Sequence, residues 1–324
     1  MVNLYLGIDL GGSHISSWLF YNKAGESWGP FSRMSIDSDL GPDTLVSLLT
    51  DCIKSGQRVA QCNYEYSNDA LAAVGLASPG PLDPKNGIII SPPNLPNIRN
   101  VEIIKLLRQS TGLQTFLVND ADAAVLGEQL LGSARGFNNV VMLTLGTGIG
   151  SGIIADGKLQ RGRGMGGEWG HTAIASIHSP GNRLCSCGRL NCLEVFCGTE
   201  GLALTYGNIF KARREDLTPD FVREISKQMR KKTDERLSHL FNVYCSDLTE
   251  GIINIINVHH PECVVLGGGI ACEDIVERVS QLLANVKHKL AVISRGVVIK
   301  LAANSNSGII GAVVHAMDSM GESQ

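Results

Sequence analysis

The sequence predicts an α/β protein of two lobes, and three observations carry that prediction. A strand, a glycine-rich turn and a returning strand occur twice, at residues 4–20 and 140–155. Short apolar runs of strand length alternate with stretches of helical periodicity along much of the chain. The 324 residues are more than one simple core organises, so two domains are expected.

The first unit opens with a short apolar strand at 4–8, the turn Asp9-Leu10-Gly11-Gly12-Ser13, and a second strand at 14–20. Its glycines allow a tight turn whose backbone N–H groups can face an anion. Asp9 is placed to hold Mg2+ through water; the plainer reading is a hairpin with a capping aspartate. Residues 44–56 carry apolar side chains on one helical face, and 64–70 are polar and read as a loop. A buried strand at 72–77 ends in Ser78-Pro79-Gly80-Pro81, which brings backbone near a possible ligand. A strand is expected at 87–91, an irregular loop at 92–97, and a helix at 101–111 closed by Gly112.

Residues 115–118 form a buried strand with Asn119-Asp120 at its carboxyl end, where open α/β sheets place their chemistry. Asp120 is a candidate base and Asn119 a candidate hydrogen-bond partner for a polar substrate; the competing role is capping the helix at 121–131. The second unit has a strand at 140–145, the turn Gly146-Thr147-Gly148-Ile149-Gly150, and a returning strand at 151–155. It suggests an internal repeat, and two such hairpins facing one cleft would clamp a polyphosphate. A dinucleotide fold is disfavoured, because Ser151 stands where its fingerprint needs glycine and the turn opens no helix. Thr218-Pro219 starts a helix, and residues 211–236 read as a solvated surface of mixed charge. A strand at 264–266 leads into Gly267-Gly268-Gly269, which admits a phosphate or a flat ring, or simply makes a tight turn. A late strand at 297–301 and a terminal helix at 308–317 close the chain.

Cys185, Cys187 and Cys192 lie within eight positions, with His171 upstream. Thiolates and an imidazole so crowded suit a closed, four-ligand structural Zn2+ site with no open position for an activated water; ordinary buried thiols are the alternative. Glu168 precedes the histidine and Glu194 follows the last cysteine, so the metal would fix two carboxylates relative to each other. Net charge is −3, which gives no basic field for nucleic acid. No basic, apolar leader opens the chain, and residues 140–155 are too glycine-rich and short of the ~20 apolar residues of a membrane span. Nine cysteines, an odd number and mostly scattered, fit a reduced cytoplasmic setting.

Together, Asp9-Leu10-Gly11-Gly12, Asn119-Asp120, the run from Leu143 through His171, Cys185-Ser186-Cys187-Gly188 to Cys192-Leu193-Glu194, and Leu266-Gly267-Gly268-Gly269 resemble the ROK family of sugar kinases and sugar-responsive repressors. The resemblance spans nearly the whole chain. It implies an actin-like, hexokinase or ribonuclease H-like, two-lobe ATPase fold with an inserted zinc-binding loop at 171–192. One lobe would comprise 1–118 with 307–324, the other 119–306. It also implies Asp120 as catalytic base, with Gly80, Asn119, Glu168, His171 and Glu194 as sugar contacts. Asp9, Gly11, Gly12, Ser13, Gly146, Thr147, Gly148 and Gly267 to Gly269 would serve Mg2+ and ATP. His171, Cys185, Cys187 and Cys192 would bind Zn2+, leaving the second imidazole nitrogen of His171 for a sugar hydroxyl.

The expected activity is ATP-dependent phosphorylation of the 6-hydroxyl of a hexose. Glucose comes first, because residues 91–100 (SPPNLPNIRN) resemble a glucokinase loop; an N-acetylhexosamine or fructose is the alternative. Homodimers are common in the family, so one is expected. A repressor would carry a DNA-binding domain ahead of the first strand, for which Asp9 is read as leaving no room; a sensor without catalysis is opposed by the intact Asp120. Ser13 replaces a usual threonine, Asn191 a glycine and Asp122 an asparagine, and the segment between His171 and Cys185 is slightly long.

Overall fold

The computed structural model describes residues 3–21, 27–61, 71–178, 181–231, 234–286, 290 and 296–322. Two five-stranded sheets dominate it. In the first, β1 (Leu4–Leu10) pairs antiparallel with β2 (His14–Tyr21), which pairs antiparallel with β3 (Ser27–Ser35); on its other side β1 runs parallel to β4 (Leu71–Ser78), and β4 to β7 (Thr115–Asn119). In the second, β8 (Val140–Leu145) pairs antiparallel with β9 (Ile149–Ala155), β9 with β10 (Lys158–Leu159), and β8 runs parallel to β11 (Cys263–Gly267) and β11 to β12 (Val298–Leu301). The orders β3-β2-β1-β4-β7 and β10-β9-β8-β11-β12 are one topology used twice. The repeat legible in the two glycine turns therefore extends to whole sheets. A small hairpin, β5 (Leu82–Asp83) with β6 (Ile88–Ile89), sits apart. The strand expected at 87–91 shrinks to those two residues of β6, of which Ile89 also bridges Val101.

Strand period sets the layers. Leu4, Leu6, Ile8 and Leu10 of β1 point to one face and pack with Leu45, Leu49 and Ile53 of α1 (Pro42–Gln61) and Ile103, Ile104 and Leu107 of α2 (Ile103–Thr111). Tyr5, between them, joins Ile309, Ile310 and Val313 of α9 (Ser307–Ser319) on the other face. In the second sheet, Val141, Leu143 and Leu145 of β8 join the core built on α4 (Glu194–Cys197), α5 (Thr199–Phe210), α6 (Pro219–Lys231), α7 (Glu235–His259) and α8 (Glu273–Asn285). Val140 and Met142 face α3 (Asp120–Leu131). The loop expected at 64–70 lies outside the described residues.

Helices α3 and α9 cross between the sheets almost backbone to backbone. A Cβ on Gly311 would run into the carbonyl of Ala123, and one on Gly127 into the carbonyl of Ser307. Buried Glu128 anchors this crossing: it accepts hydrogen bonds from Ser133 N (2.7 Å), Ala303 N and Asn304 N (3.0 Å each) and Ser307 Oγ (2.9 Å). A buried carboxylate is tolerated because these donors satisfy it.

Candidate active site and metal centre

Asn119 ends β7 and Asp120 begins α3. Asn119 Oδ1 accepts from Ala121 N (2.9 Å) and Asp122 N (3.3 Å), which caps the helix. Asp120 Oδ1 accepts from the same Ala121 N at 2.8 Å. Capping and display of a carboxylate at the strand end are thus both present, on adjacent residues. One side of Asp120 opens to solvent, while protein closes round the rest of the carboxylate. That burial raises its pKa; the Ala121 amide and Asn119 oppose the rise, and Glu168 adds to it. Gly80, the first residue of the cis Gly80-Pro81 peptide, lies beside the Asn119 amide and against Met165.

Asp9, near the end of β1, is pushed up to about 6, first by burial and then by the charge of Asp120, with Arg33 opposing. Asp122 is pushed up to about 7, first by burial, with Arg161 opposing and Asp120 and Glu168 reinforcing; neither of its oxygens has a hydrogen-bond partner. Asp9, Asp120, Asp122 and Glu168 therefore share one electrostatic neighbourhood, although they come from three distant parts of the chain. Such an acidic site attracts a cation. Asp9, with Gly308 of α9 backed onto its carboxylate, has the chemistry to hold hydrated Mg2+.

The turn after Asp9 closes with Gly11 N donating to His14 O at 2.8 Å, and exposed Ser13 has its hydroxyl against His14 Nδ1 at 2.7 Å. Gly12 lies against Asn94, so the 92–97 loop covers this turn closely. The second turn closes with Gly146 N donating to Gly148 O at 3.0 Å, and both the backbone N and the hydroxyl of Thr199 donate to Gly146 O (3.0 and 2.9 Å). Thr147 is exposed at its tip. In the third glycine loop, Gly268 is pressed against the Leu145 backbone at positive φ, and Ile270 N donates to Leu145 O at 3.1 Å. Gly268 is thus a packing glycine that seats this loop beside the Gly146 turn, whereas Gly269 faces open space and Gly267 meets Met142 and Ala302.

Glu168 is exposed and precedes a single helical turn at Trp169–His171. Trp169 N donates to Ser151 Oγ (3.0 Å) and its indole Nε1 to His259 Nε2 (3.0 Å), which pins this segment to β9 and the end of α7. Glu194 begins α4, and one of its oxygens accepts from Ile149 N at 2.9 Å. That oxygen braces the Gly146 turn, and a sugar could engage the other. Glu194 is therefore a link between the metal loop and the second glycine turn.

The ligand atoms of His171, Cys185, Cys187 and Cys192 all lie within 4.8 Å of one another. A tetrahedral zinc with usual bond lengths would set S···S near about 3.8 Å and S···N near about 3.6 Å. Cys187 Sγ to Cys192 Sγ is 3.7 Å and Cys185 Sγ to His171 Nδ1 is 3.5 Å. The residues therefore fit zinc, with Nδ1 turned to the metal position and Nε2 left free. Burial and the neighbouring thiols push Cys192 up to about 12, so a cation is what would allow three thiolates to coexist. The loop is built for this: Gly188 has φ +85°, and Asn191, at φ +60°, does the work of the glycine it replaces because asparagine tolerates the left-handed region.

Sequence reasoning missed three features: the Glu128 anchor, Asp122 as a buried carboxylate, and Arg183. Arg183 donates to Val195 O (2.9 Å), Gly201 O (3.2 Å) and Thr205 Oγ1 (3.0 Å), and lies over the Phe196 ring at 4.7 Å. It fastens the metal loop to α4 and α5. Its signal in the sequence was a lone arginine two residues before the first cysteine, which no local pattern distinguishes.

The ROK family pattern matches residues 5–319, and the chain belongs to the ROK family. It is 33% identical over 276 residues to the glucokinase of Thermotoga maritima, covering 82% of each chain. It is 29% identical to the xylose repressor of Caldicellulosiruptor bescii, spanning 66% of that protein's length, and 27% identical to the N-acetylmannosamine kinase of Salmonella typhi, covering 86% of this chain and 87% of that one. Among solved structures it resembles the ROK hexokinase from Thermus thermophilus, with a TM-score of 0.79, 27% identity and 98% and 99% coverage. It also resembles a ROK glucokinase from Streptomyces griseus in complex with glucose and AMPPNP, with a TM-score of 0.71, 25% identity and 96% and 98% coverage. The fold is therefore the actin-like ATPase fold of those hexokinases.

Proposed function

We propose that the protein transfers the γ-phosphoryl group of ATP to the 6-hydroxyl of a hexose, glucose in the first instance, with Asp120 as base. The class, a sugar kinase, follows from the kinases it resembles. One observation carries the reading of the site: a partly desolvated carboxylate, Asp120, stands at a strand end within electrostatic reach of Asp9 at one glycine turn and of Glu168 just before the metal loop.

A sugar hydroxyl is a poor nucleophile and must be aimed in line at the phosphorus. Asp120 orients it and takes its proton; its raised pKa makes it a better proton acceptor than a free aspartate. In a loose transition state alignment counts most, and alignment falls to Asn119, Glu168, His171 Nε2, the outer oxygen of Glu194 and the Gly80 backbone. With the Gly11 and Gly146 amides used to close the two turns, the backbone N–H groups of Gly12, Ser13, Thr147 and Gly148, with Gly269, receive the phosphates. Mg2+, when bound near Asp9, would offset phosphate charge; Zn2+ would hold the 171–192 loop in shape. The two lobes, 1–118 with 307–324 and 119–306, would close by rotation about the α3–α9 crossing, and a homodimer is the proposed assembly.

The test is an enzyme-linked ADP-release assay with ATP, Mg2+ and a panel of hexoses. Turnover with glucose well above the other sugars is expected. Preference for a 2-acetamido sugar would move the substrate to the N-acetylhexosamines, and silence across the panel with folded, metal-loaded protein would contradict the reading.

A further inference from the structure

A large cavity of about 1190 Å³ lies outside the catalytic cleft, between the β5–β6 hairpin, α2, the outer edge of β7, the 161–164 loop and the end of α9. Its walls carry five cations, Lys85, Lys105, Arg108, Arg161 and Arg163, and one carboxylate, Asp83, while burial and the charge of Arg161 push His315 down to about 4 and leave it uncharged at neutral pH. So strong a positive bias is notable in a chain whose net charge is −3. The cations are only partly answered. Lys105 pairs with Glu102 at 2.6 Å, and Arg161 faces Asp122 and Asp318. Arg108 donates to the Thr115 carbonyl (2.8 Å) and lies over the Phe116 ring (5.6 Å), and it forms no ion pair among the described residues. Among the described residues, no ion pair is formed by Arg163 or Lys85. Asp83 is held chiefly by Asn86, through N at 3.1 Å and Nδ2 at 2.7 Å, with the Lys85 backbone and charge adding to this.

We propose that this cavity is a second ligand site, for a phosphorylated small molecule. The Arg108 and Arg163 guanidinium groups and the Lys85 ammonium group supply the donors that a phosphomonoester needs. The volume exceeds what inorganic phosphate fills, and Leu82, Ile104 and Phe116 offer apolar surface for an organic body. The site is separate from the cleft: Met165 stands between them, accepting from Leu82 N at 2.9 Å and packing against Gly80. It is also connected to the cleft, because the strand of chain that contributes Arg161 and Arg163 continues directly to Glu168. An occupant would steady that segment and so affect sugar affinity more than turnover.

The test compares wild type with a Lys85→Gln/Arg163→Gln variant by titration calorimetry. Both residues are exposed, so the fold should be retained, which a thermal melt checks. Two ligands are titrated separately, inorganic phosphate and glucose 6-phosphate. Wild type should bind glucose 6-phosphate at two sites, and phosphate more weakly; the variant should lose one glucose 6-phosphate site, or bind there about tenfold or more weakly, and keep the other. Added salt should weaken the pocket site. A single site unaffected by the double substitution, or no binding of either ligand, would overturn the proposal. The site retained by the variant rests on the proposed glucose kinase reading, whereas the site lost by the variant decides the pocket; a wild type with that one site alone, lost in the variant, would support the pocket and count against glucose as the substrate of the cleft.

Discussion

The two strand–turn–strand units share a topology and differ in chemistry. In the first, Leu10 pairs with Ile15 across the turn and Asp9 with Ser16; in the second, Leu145 pairs with Ile149 and Thr144 with Gly150. Thr144 therefore stands where Asp9 stands. The first unit carries its own carboxylate, raised to about 6 by burial and by Asp120. The second has none, and borrows one: Glu194, from the far side of the metal loop, reaches back to Ile149 N. A duplicated scaffold has thus been given one turn suited to a cation and another tied, through Glu194, to the end of the cysteine loop. Fold and function part company here, since the backbone repeats and the charges do not.

That asymmetry can be broken from either side. The largest expected effect belongs to the charged turn: Asp9→Asn should lower kcat/KM for MgATP about 10²-fold, whereas Thr144→Val, at the matching position, should change it only a few-fold. Steady-state kinetics at varied Mg2+ checks this. The next effect belongs to the borrowed acid. Removing zinc with a chelator, or substituting Cys187→Ser, should raise KM for the sugar about tenfold or more while leaving ATP affinity much less changed. Unchanged sugar affinity in metal-free protein would separate the loop from the substrate site.

Stability follows the same division. A carboxyl whose folded pKa is raised above its unfolded value stabilises the fold while protonated, and this contribution is lost as pH rises through about 4 to 6. At neutral pH without nucleotide, Asp9→Asn should therefore stabilise the protein, by up to about 3 kcal/mol, and the gain should vanish near pH 4. Thermal melts across pH measure it. A smaller effect sharpens the picture of the shared acidic neighbourhood. Glu168 raises the pKa of Asp120, so Glu168→Gln should move the acid limb of the kcat profile to lower pH.

Much of this was legible in the sequence, for identifiable reasons. Glycine turns, the CxC cluster and Asn119-Asp120 are local patterns; the structure couples Asp9 to Asp120 by charge, ties Glu194 after the cysteines to the second turn, and seats Gly268 against Leu145. Strand β3 escaped notice because SWGPFSRMS has neither apolar alternation nor a continuous apolar run. Glu128 was invisible because three of its donors, Ala303 N, Asn304 N and Ser307 Oγ, lie far off in sequence, and nearby Ser133 alone gives no signal. Asp122 looked like a minor departure from the family pattern; only packing reveals a buried carboxylate without a hydrogen-bond partner. Asn191 ran the other way: the residue departs from the pattern, but the backbone conformation does not.

The central claim is that Asp120 performs the proton transfer while its neighbours hold the sugar. Single-turnover phosphoryl transfer by Asp120→Asn, with sugar binding measured on the same protein by calorimetry, tests it most directly. The account predicts that the rate falls by about 10² to 10⁴ while sugar affinity stays within a few-fold of wild type. Near-normal turnover, or a loss explained wholly by lost sugar binding, would contradict it.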